Sequence, residues 1–298
     1  MKSLWDSAPG LLLVTGALLG LTLPFGKIAG AAGIAPSVWA LVVSLGAGSV
    51  LLAAMLARGR WVGLSAHKLR YFLIAAAISY AIPNLLMFSA IPHLGAGYTG
   101  IMFTLSPVIT LMLSILLGVR RPTALGMAGI AVGFGGALIV AWTRGEAGRP
   151  ADLFWVLVGL CIPFALAAGN IYRTIDWPRD AGTTELTVGS HLAAAAMLLI
   201  LILARGDFAT AGLLADLPLV VIGQVLSASL MFVFFFRLQA VGGPVYLSQI
   251  GYVGAAVGLI AGLVLLGESY GLLTWTGAAI ITLGIAMTTK AQMAERSQ

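Results

Sequence analysis

The polar side chains inside the apolar parts of this chain are mostly uncharged, and several recur on one helical face. Tyr80, Asn84 and Met87 follow the i, i+4, i+7 spacing that brings side chains to one side of a helix. An amide buried in lipid needs a hydrogen-bond partner, which another helix, water or a ligand can supply. Amides beside tyrosine and methionine predict a binding site for a small amphipathic molecule.

Similar stripes lie in three further segments, and together with Asn170 of the sixth segment they complete the predicted cavity lining. For each amide, hydrogen bonding between helices is an equally good interpretation. For each tyrosine or methionine, ordinary core packing is the more common role. The predicted lining comprises Tyr80, Asn84, Met87, Tyr98, Met102, Asn170, Gln224, Ser227, Met231, Gln249 and Tyr252.

The apolar segments lack the residue types that catalysis would need. No Asp or Glu lies in the middle of an apolar segment, because Glu185 and Asp216 fall within the first four residues of theirs, and Cys161 is the single cysteine. Paired carboxylates, a metal cluster or a nucleophile with its base are therefore not expected within the segments. We expect no enzyme, no catalytic residue, no metal and no cofactor. His191 is the one titratable group besides the cations at segment edges, so a proton relay through it stays open.

Ten apolar segments of about 20 residues carry these side chains, and each is long enough to cross a hydrocarbon core of about 30 Å. Only 9% of the residues are charged, against about 25% in soluble domains. The sequence predicts an all-α integral membrane protein. The segments cover residues 8–32, 36–57, 69–91, 95–118, 122–142, 153–173, 182–204, 214–236, 243–266 and 270–289.

The second half of the chain repeats the first at an offset of 146 to 149 residues. Lys27 aligns with Arg173, and Gly118 aligns with Gly267. Because each half has five segments, an odd number, the second half must be inverted in the membrane. The prediction is two inverted five-helix repeats, residues 1–149 and 150–298, around a central cavity.

Four prolines interrupt the predicted spans, and each leaves a backbone carbonyl without its usual donor. In lipid that carbonyl needs another partner or a water-lined cavity. We therefore predict hinges or kinks that border the cavity, although any single kink could serve packing alone. These prolines are Pro24, Pro83, Pro107 and Pro163.

Lys27 and Arg173 lie at the predicted C-terminal ends of two spans, on opposite membrane faces. There they complement the negative helix end and extend toward water. The alternative role is to attract anionic groups to the two mouths of the cavity.

Basic residues are distributed unevenly between the predicted loops. With the N-terminus in the cytoplasm, 12 of the 16 basic residues face inward, and Lys27, Arg144, Arg149 and Arg205 face outward. This asymmetry predicts cytoplasmic termini in a multi-pass protein of a bacterial inner (plasma) membrane. The inward set is Lys2, Arg58, Arg60, Lys68, Arg70, Arg120, Arg121, Arg173, Arg179, Arg237, Lys290 and Arg296.

Three short stretches carry a family resemblance: residues 105–107 (Leu-Ser-Pro), residues 266–268 (Leu-Gly-Glu) and residues 169–173 (Gly-Asn-Ile-Tyr-Arg). Over nearly its full length the chain resembles the drug/metabolite transporter superfamily, EamA-type ten-helix branch. Within that branch it is similar to bacterial YddG-type aromatic amino acid exporters. The resemblance implies a basket of helices around a cavity that opens alternately to the two sides.

The resulting expectation is a secondary transporter that exports hydrophobic or aromatic amino acids and related neutral metabolites, without obligatory ion coupling. Its partners would be a neutral or zwitterionic small-molecule substrate and the lipid bilayer, with no nucleic acid. A monomer would suffice for transport, and the oligomeric state is left open. The alternatives are a sugar-phosphate or nucleotide-sugar antiporter of the same fold, or an intramembrane enzyme.

Overall fold

Twelve α-helices and no strand form over residues 4–119, 123–143 and 151–296, which are the residues that the computed structural model describes. Short 3₁₀ segments occur at Leu4–Asp6, Phe103–Leu105 and Asp207–Asp216. The α-helices are α1 Ala8–Ala31, α2 Pro36–Leu56, α3 Ala66–Ala75, α4 Ile82–Leu94, α5 Ala96–Met102, α6 Ser106–Leu116, α7 Ala124–Trp142, α8 Leu153–Ile175, α9 Thr183–Arg205, α10 Pro218–Ser248, α11 Ile250–Leu266 and α12 Leu272–Arg296.

Seven helical stretches of the described chain are long and apolar enough to cross a membrane. Two of them combine shorter helices, α3 with α4 and α5 with α6. Three shorter apolar helices lie at Ala124–Val140, Ile250–Leu266 and Leu272–Thr288. The all-helical architecture fits a membrane protein, while ten spans arranged as an inverted repeat stay a prediction.

Two of the four prolines coincide with a change of helix type. A π-helical turn, Ala76–Ala81, comes just before Pro83, and the 3₁₀ turn Phe103–Leu105 comes just before Pro107. Pro24 and Pro163 lie inside the continuous helices α1 and α8. The missing backbone bond is therefore accommodated by a local rewinding of the helix at Pro83 and Pro107.

Glycines at corresponding places in the two halves adopt similar backbone conformations. Gly95 and Gly243 both have positive φ with extended ψ, at φ 86° and 74°, although the sequence repeat aligns Gly95 with Gly242, one residue away. Gly118 and Gly267 both have φ 65°. Side chains with a Cβ are disfavoured at positive φ, which accounts for glycine at these points. The agreement is consistent with the predicted repeat, although the division near residue 149 and the inversion stay predictions.

Close helix contacts depend on small residues. α7 packs along α12, where a Cβ on Gly129 or Gly136 would approach the backbone carbonyls of Gly284 and Gly277 at 2.9 and 2.7 Å. α1 packs on both α10 and α11, and α4 packs on α8. These contacts place α1, α4, α8 and α10 around a common interior space.

Some residues used for the predicted orientation lie outside the described residues, namely Lys2, Arg120, Arg121, Arg144 and Arg149. The cytoplasmic placement of the termini therefore stays a prediction.

Candidate binding cavity

A buried cavity of about 70 Å³ lies between α1, α4, α8, α10 and the start of α11. Its wall is mainly apolar, with Met87, Met231, Phe232 and Ile162 among the lining residues. A water molecule needs about 10–15 Å³ of such volume, so the space holds several waters. Binding of a molecule with a ring requires the surrounding helices to move apart.

The π-helical turn before α4 supplies part of the polar wall. It contributes Ser79 and Tyr80, and Pro83 and Asn84 follow one turn later. A π turn adds a residue to the helical repeat and so changes which side chains face inward. The local rewinding at Pro83 thus helps to position Ser79 and Tyr80 at the cavity.

Seven of the predicted residues meet at this cavity. From the predicted lining these are Tyr80, Asn84, Met87, Asn170 and Met231. The predicted hinge Pro83 and the predicted mouth cation Arg173 join them. The structure brings these residues together, and their role in binding substrate stays a prediction.

Three other predicted lining residues, Tyr98, Met102 and Tyr252, lie in a second apolar cluster. Tyr252 also borders a wider crevice between α11 and α12, which is open at Ile260 and Trp275. None of the described residues that line this crevice is charged. The stripe geometry correctly groups side chains on one face, but it does not say which neighbouring helix the face meets.

The remaining predicted amides and Ser227 contact neighbouring helices. The Gln249 Oε1 atom accepts a hydrogen bond of 2.9 Å from the Thr288 hydroxyl of α12. Ser227 donates to the Leu18 carbonyl at 3.1 Å, and Gln224 lies 3.5 Å from the Thr22 hydroxyl. For these residues the structure shows interhelical hydrogen bonding, the alternative interpretation of the sequence.

Phe232 and Phe235 of α10 line the cavity but were absent from the sequence prediction. Ser79 and Phe103 line it too. Their carbonyls are the ones that Pro83 and Pro107 were expected to leave without donors beside a cavity. The prolines therefore pointed to both positions, whereas nothing distinguished the two phenylalanines in an apolar helix.

Arg173 differs from its expected position, because it is only 1% exposed and borders the cavity. Its Nε donates to Gln239 Oε1 at 2.8 Å, and its Nη2 donates to Asn170 Oδ1 at 2.7 Å. The guanidinium carbon lies 4.8 Å from the centre of the Phe235 ring. No carboxylate of the described residues forms an ion pair with it. Arg173 is therefore a buried cation held by amides and an aromatic ring.

Lys27, the matched cation, forms an ion pair with Glu268 in the turn between α11 and α12. Glu268 also accepts from the backbone N–H groups of Ala96 and Gly97, at 2.9 and 3.2 Å, and from the Tyr270 hydroxyl. Burial raises the pKa of Glu268, but the hydrogen bonds from Lys27, Tyr270 and Ala96 outweigh it and lower the pKa. This cluster, which we call the Glu268 tie, joins α1, α5 and the α11–α12 turn.

A second set of ion pairs closes the opposite end of the helices. Lys68, near the start of α3, lies 2.9 Å from Glu185 and 3.0 Å from Asp180. Arg70 lies 2.6 Å from Asp176, just after α8. The described structure is thus connected by ion pairs at both ends, with the cavity between them.

His191 is fully buried in α9 but is not a cavity-lining residue. Its ring lies 4.3 Å from that of Tyr80 and 4.0 Å from that of Phe232. Neither ring nitrogen has a hydrogen-bond partner among the described residues. A protonated imidazole would lack an acceptor here. Over the same residues, no group of three His, Cys, Asp or Glu side chains could hold a metal ion.

Comparison with known proteins agrees with a membrane carrier architecture. Residues 7–142 match the model of the EamA-like transporter family. A solved structure titled only as the crystal structure of a protein is similar over 97% of this chain and 99% of its own, with a TM-score of 0.66 and 20% identity. That similarity supports the fold alone. No curated protein matches the chain.

Proposed function

We propose that this protein is a secondary transporter that exports hydrophobic or aromatic amino acids and related metabolites from a bacterial cell. Its substrate would bind in the cavity beside Asn84, Arg173 and Met231. The cavity carries the proposal: it is buried among apolar helices, and aromatic rings and methionines line it together with a few polar groups. The match of residues 7–142 to a transporter family supports the same class.

Alternating access would operate by opening one set of ion pairs at a time. The Glu268 tie joins helices at one end, and the pairs of Lys68 and Arg70 join them at the other. Because the cavity has room for only several waters, the described conformation suits a closed intermediate. Separation of either end would widen the cavity and expose it to one side of the membrane.

A sugar-phosphate antiporter is the second candidate, and one observation favours it. Arg173 is a buried cation at the cavity without a carboxylate partner among the described residues, as an anionic substrate would require. Phosphate binding is commonly shared by several Arg or Lys donors. Arg173 is the single charged residue among the described cavity-lining side chains, which favours a substrate of lower charge.

A substrate panel in proteoliposomes tests the proposal. Aromatic amino acids should leave loaded vesicles faster than aliphatic amino acids, organic cations or sugar phosphates. Ala228→Leu fills the cavity wall and should slow that efflux, because Ala228 is 1% exposed and lines the cavity. The matched control is Ala53→Leu on the exposed face of α2.

The results separate the candidates. Equal efflux rates for Ala228→Leu and Ala53→Leu would remove the cavity from the transport route. Efflux of sugar phosphates alone would replace the amino-acid proposal with the second candidate.

A further inference from the structure

We infer that Arg173 binds the carboxylate of the transported molecule, and that the preferred substrate is a monoanion with an apolar body. This inference rests on the proposed function, because it takes the cavity as the transport site. It changes the preferred substrate from a zwitterionic amino acid to an aromatic carboxylate without an ammonium group, and it names the residue that recognises the carboxylate.

The first observation is the unused hydrogen-bonding capacity of Arg173. A guanidinium has five N–H donors. Two of them donate to Gln239 and Asn170, and no further acceptor for Arg173 occurs among the described residues. Since the side chain is 1% exposed, water at the surface does not satisfy the remaining donors. A carboxylate in the adjoining cavity could accept from them in the two-pronged geometry that arginine favours.

The second observation is a group of unpartnered hydroxyls on the same wall. Ser79 Oγ and the Tyr80 hydroxyl are buried and have no hydrogen-bond partner among the described residues. A Cβ placed on Gly169 would lie 3.1 Å from Arg173 Nη1, and closer still to Ser79 Oγ. The serine hydroxyl and the free end of the guanidinium are therefore neighbours. Together they offer a carboxylate a neutral donor beside a charged one.

The third observation is the charge balance of the cavity. Arg173 is the single charged side chain among its described lining residues. An unpaired buried charge is unfavourable, and one bound carboxylate would neutralise it. A phosphate monoester carries about −1.5 to −2 charges at pH 7, so it would leave negative charge uncompensated. The ammonium of a zwitterion would find no carboxylate among these residues.

Four compounds with the same phenyl ring test which substrate charge the cavity prefers. They are 3-phenylpropionate as the monoanion, phenylalanine as the zwitterion, 2-phenylethylamine as the cation and phenyl phosphate as the phosphate ester. Their binding to the purified full-length protein in detergent is measured by titration calorimetry. We expect 3-phenylpropionate to bind most tightly. Tighter binding of phenyl phosphate would overturn the preference for a monoanion.

Asn170→Asp is the decisive variant. It keeps the oxygen that accepts from Arg173 at 2.7 Å and adds one negative charge beside the guanidinium. The internal carboxylate then competes with the ligand. Loss of a charged hydrogen bond predicts that 3-phenylpropionate binds about tenfold or more weakly. Binding of 2-phenylethylamine should not weaken, which a general loss of structure would not produce.

Two arginine variants complete the test. Arg173→Lys keeps the charge and should retain part of the affinity for the monoanion, whereas Arg173→Gln should lose it. The matched control is Arg237→Gln, because Arg237 pairs with Asp6 away from the cavity. That control should bind all four compounds as the wild type does.

Failure of this inference is distinguishable from failure of the proposed function. Unchanged binding of 3-phenylpropionate in both Asn170→Asp and Arg173→Gln would overturn the carboxylate site and leave transport through the cavity intact. Wild-type protein that binds the monoanion but exports no compound from proteoliposomes would contradict the transporter proposal and leave the anion site intact.

Discussion

Asn84 and Gln249 are two amides with different surroundings, although the sequence treats them alike. Asn84 is partly buried and lines the cavity. Gln249 is 1% exposed and accepts a hydrogen bond from Thr288 of α12. The first amide therefore borders the cavity, and the second joins two helices.

Replacing each amide by alanine should separate these roles. Asn84→Ala should weaken substrate binding about 2- to 10-fold, since one hydrogen bond contributes roughly 0.5–1.5 kcal/mol net. Its thermal stability should stay near that of the wild type. Gln249→Ala should lower thermal stability instead, because it removes the side-chain bond to α12 and leaves the Thr288 hydroxyl only the carbonyls of its own helix. Titration calorimetry and thermal unfolding in detergent measure both effects, and equal affinity in wild type and Asn84→Ala would remove Asn84 from the site.

At the scale of single residues, spacing predicts helical faces better than it predicts neighbours. Tyr80, Asn84 and Met87 share a face, and that face meets the cavity. Tyr98 and Met102 also share a face, but it meets the second apolar cluster. The depth of Arg173 was missed because its place near a span end suggested contact with water. Its acceptors, Gln239 and Asn170, become neighbours only when α10 packs on α8.

Among the helical elements, the turn between α11 and α12 has a role beyond connection. Glu268 in this turn is 1% exposed and supports the first residues of α5 as well as Lys27 of α1. The sequence places Glu268 outside the spans and so indicates an exposed loop residue. Three-dimensional packing makes it the centre of the Glu268 tie.

Loss of Glu268 should destabilise the protein. Glu268→Ala leaves the buried N–H groups of Ala96 and Gly97 without their acceptor, and one such loss costs about 1–3 kcal/mol. Glu268→Gln keeps one acceptor oxygen and should cost less. The control Asp180→Ala removes a carboxylate that is 70% exposed, and it should lie within about 1 kcal/mol of wild type. Thermal unfolding in detergent ranks the stabilities of the variants. An equal loss of stability in Asp180→Ala and Glu268→Ala would contradict the prediction.

Lowering the pH should remove the stability that the wild type has over Glu268→Gln. The fold lowers the pKa of this carboxyl group, so its stabilisation is fully present above the unfolded pKa of about 4.3. The stabilisation is lost as pH falls through the lower folded value. The difference in unfolding temperature between wild type and Glu268→Gln should therefore be constant near neutral pH and shrink in acid. A difference that grows on acidification would reverse the assigned direction.

Helix interruptions were predictable at some prolines and not at others. Pro83 and Pro107 coincide with π and 3₁₀ turns, whereas α1 and α8 continue through Pro24 and Pro163. Proline always removes one backbone bond, but surrounding helices decide whether a kink or a rewound turn results. The change of conformation at Gly243 lies inside α10, where the sequence indicated only an entry into the next span.

At the scale of the whole molecule, apolar periodicity indicates the helices and says little about their arrangement. The i, i+4 spacing of Gly129 and Gly133 favours close packing against another helix, and the structure identifies α12 as the partner of α7. Because nearly every face of a membrane helix is apolar, hydrophobicity alone does not select neighbours.

The predicted orientation can be measured by cysteine labelling. In a Cys161→Ser background, a membrane-impermeant thiol reagent should label Ser65→Cys only from the cytoplasmic side. It should label Gly212→Cys, in the segment after α9, only from the outside. Ser65 and Gly212 are both exposed. Reversed labelling would invert the topology, and labelling of both from one side would contradict the predicted arrangement of spans.

Transport should not require a proton or sodium gradient. Coupling needs a group that binds the ion with different affinity in two conformations. Over the described residues, His191 is packed against Tyr80 and Phe232, and Glu268 is held by Lys27, Ala96 and Gly97. A monoanion on Arg173 has another driving force, because an inside-negative potential of about 100 mV favours its exit by roughly 2.3 kcal/mol.

Efflux of substrate from sodium-free proteoliposomes should therefore persist when a protonophore collapses the pH gradient. It should also persist in the variants His191→Ala and Glu268→Gln. A potassium gradient with valinomycin, inside negative, should accelerate efflux of 3-phenylpropionate more than that of zwitterionic phenylalanine, since the zwitterion moves no net charge. If a pH gradient alone drives uphill accumulation of substrate and one of the two variants abolishes it, the uncoupled mechanism is wrong, and that residue becomes the coupling site. The same rate for both compounds at every potential would instead indicate that the anion crosses together with a neutralising cation.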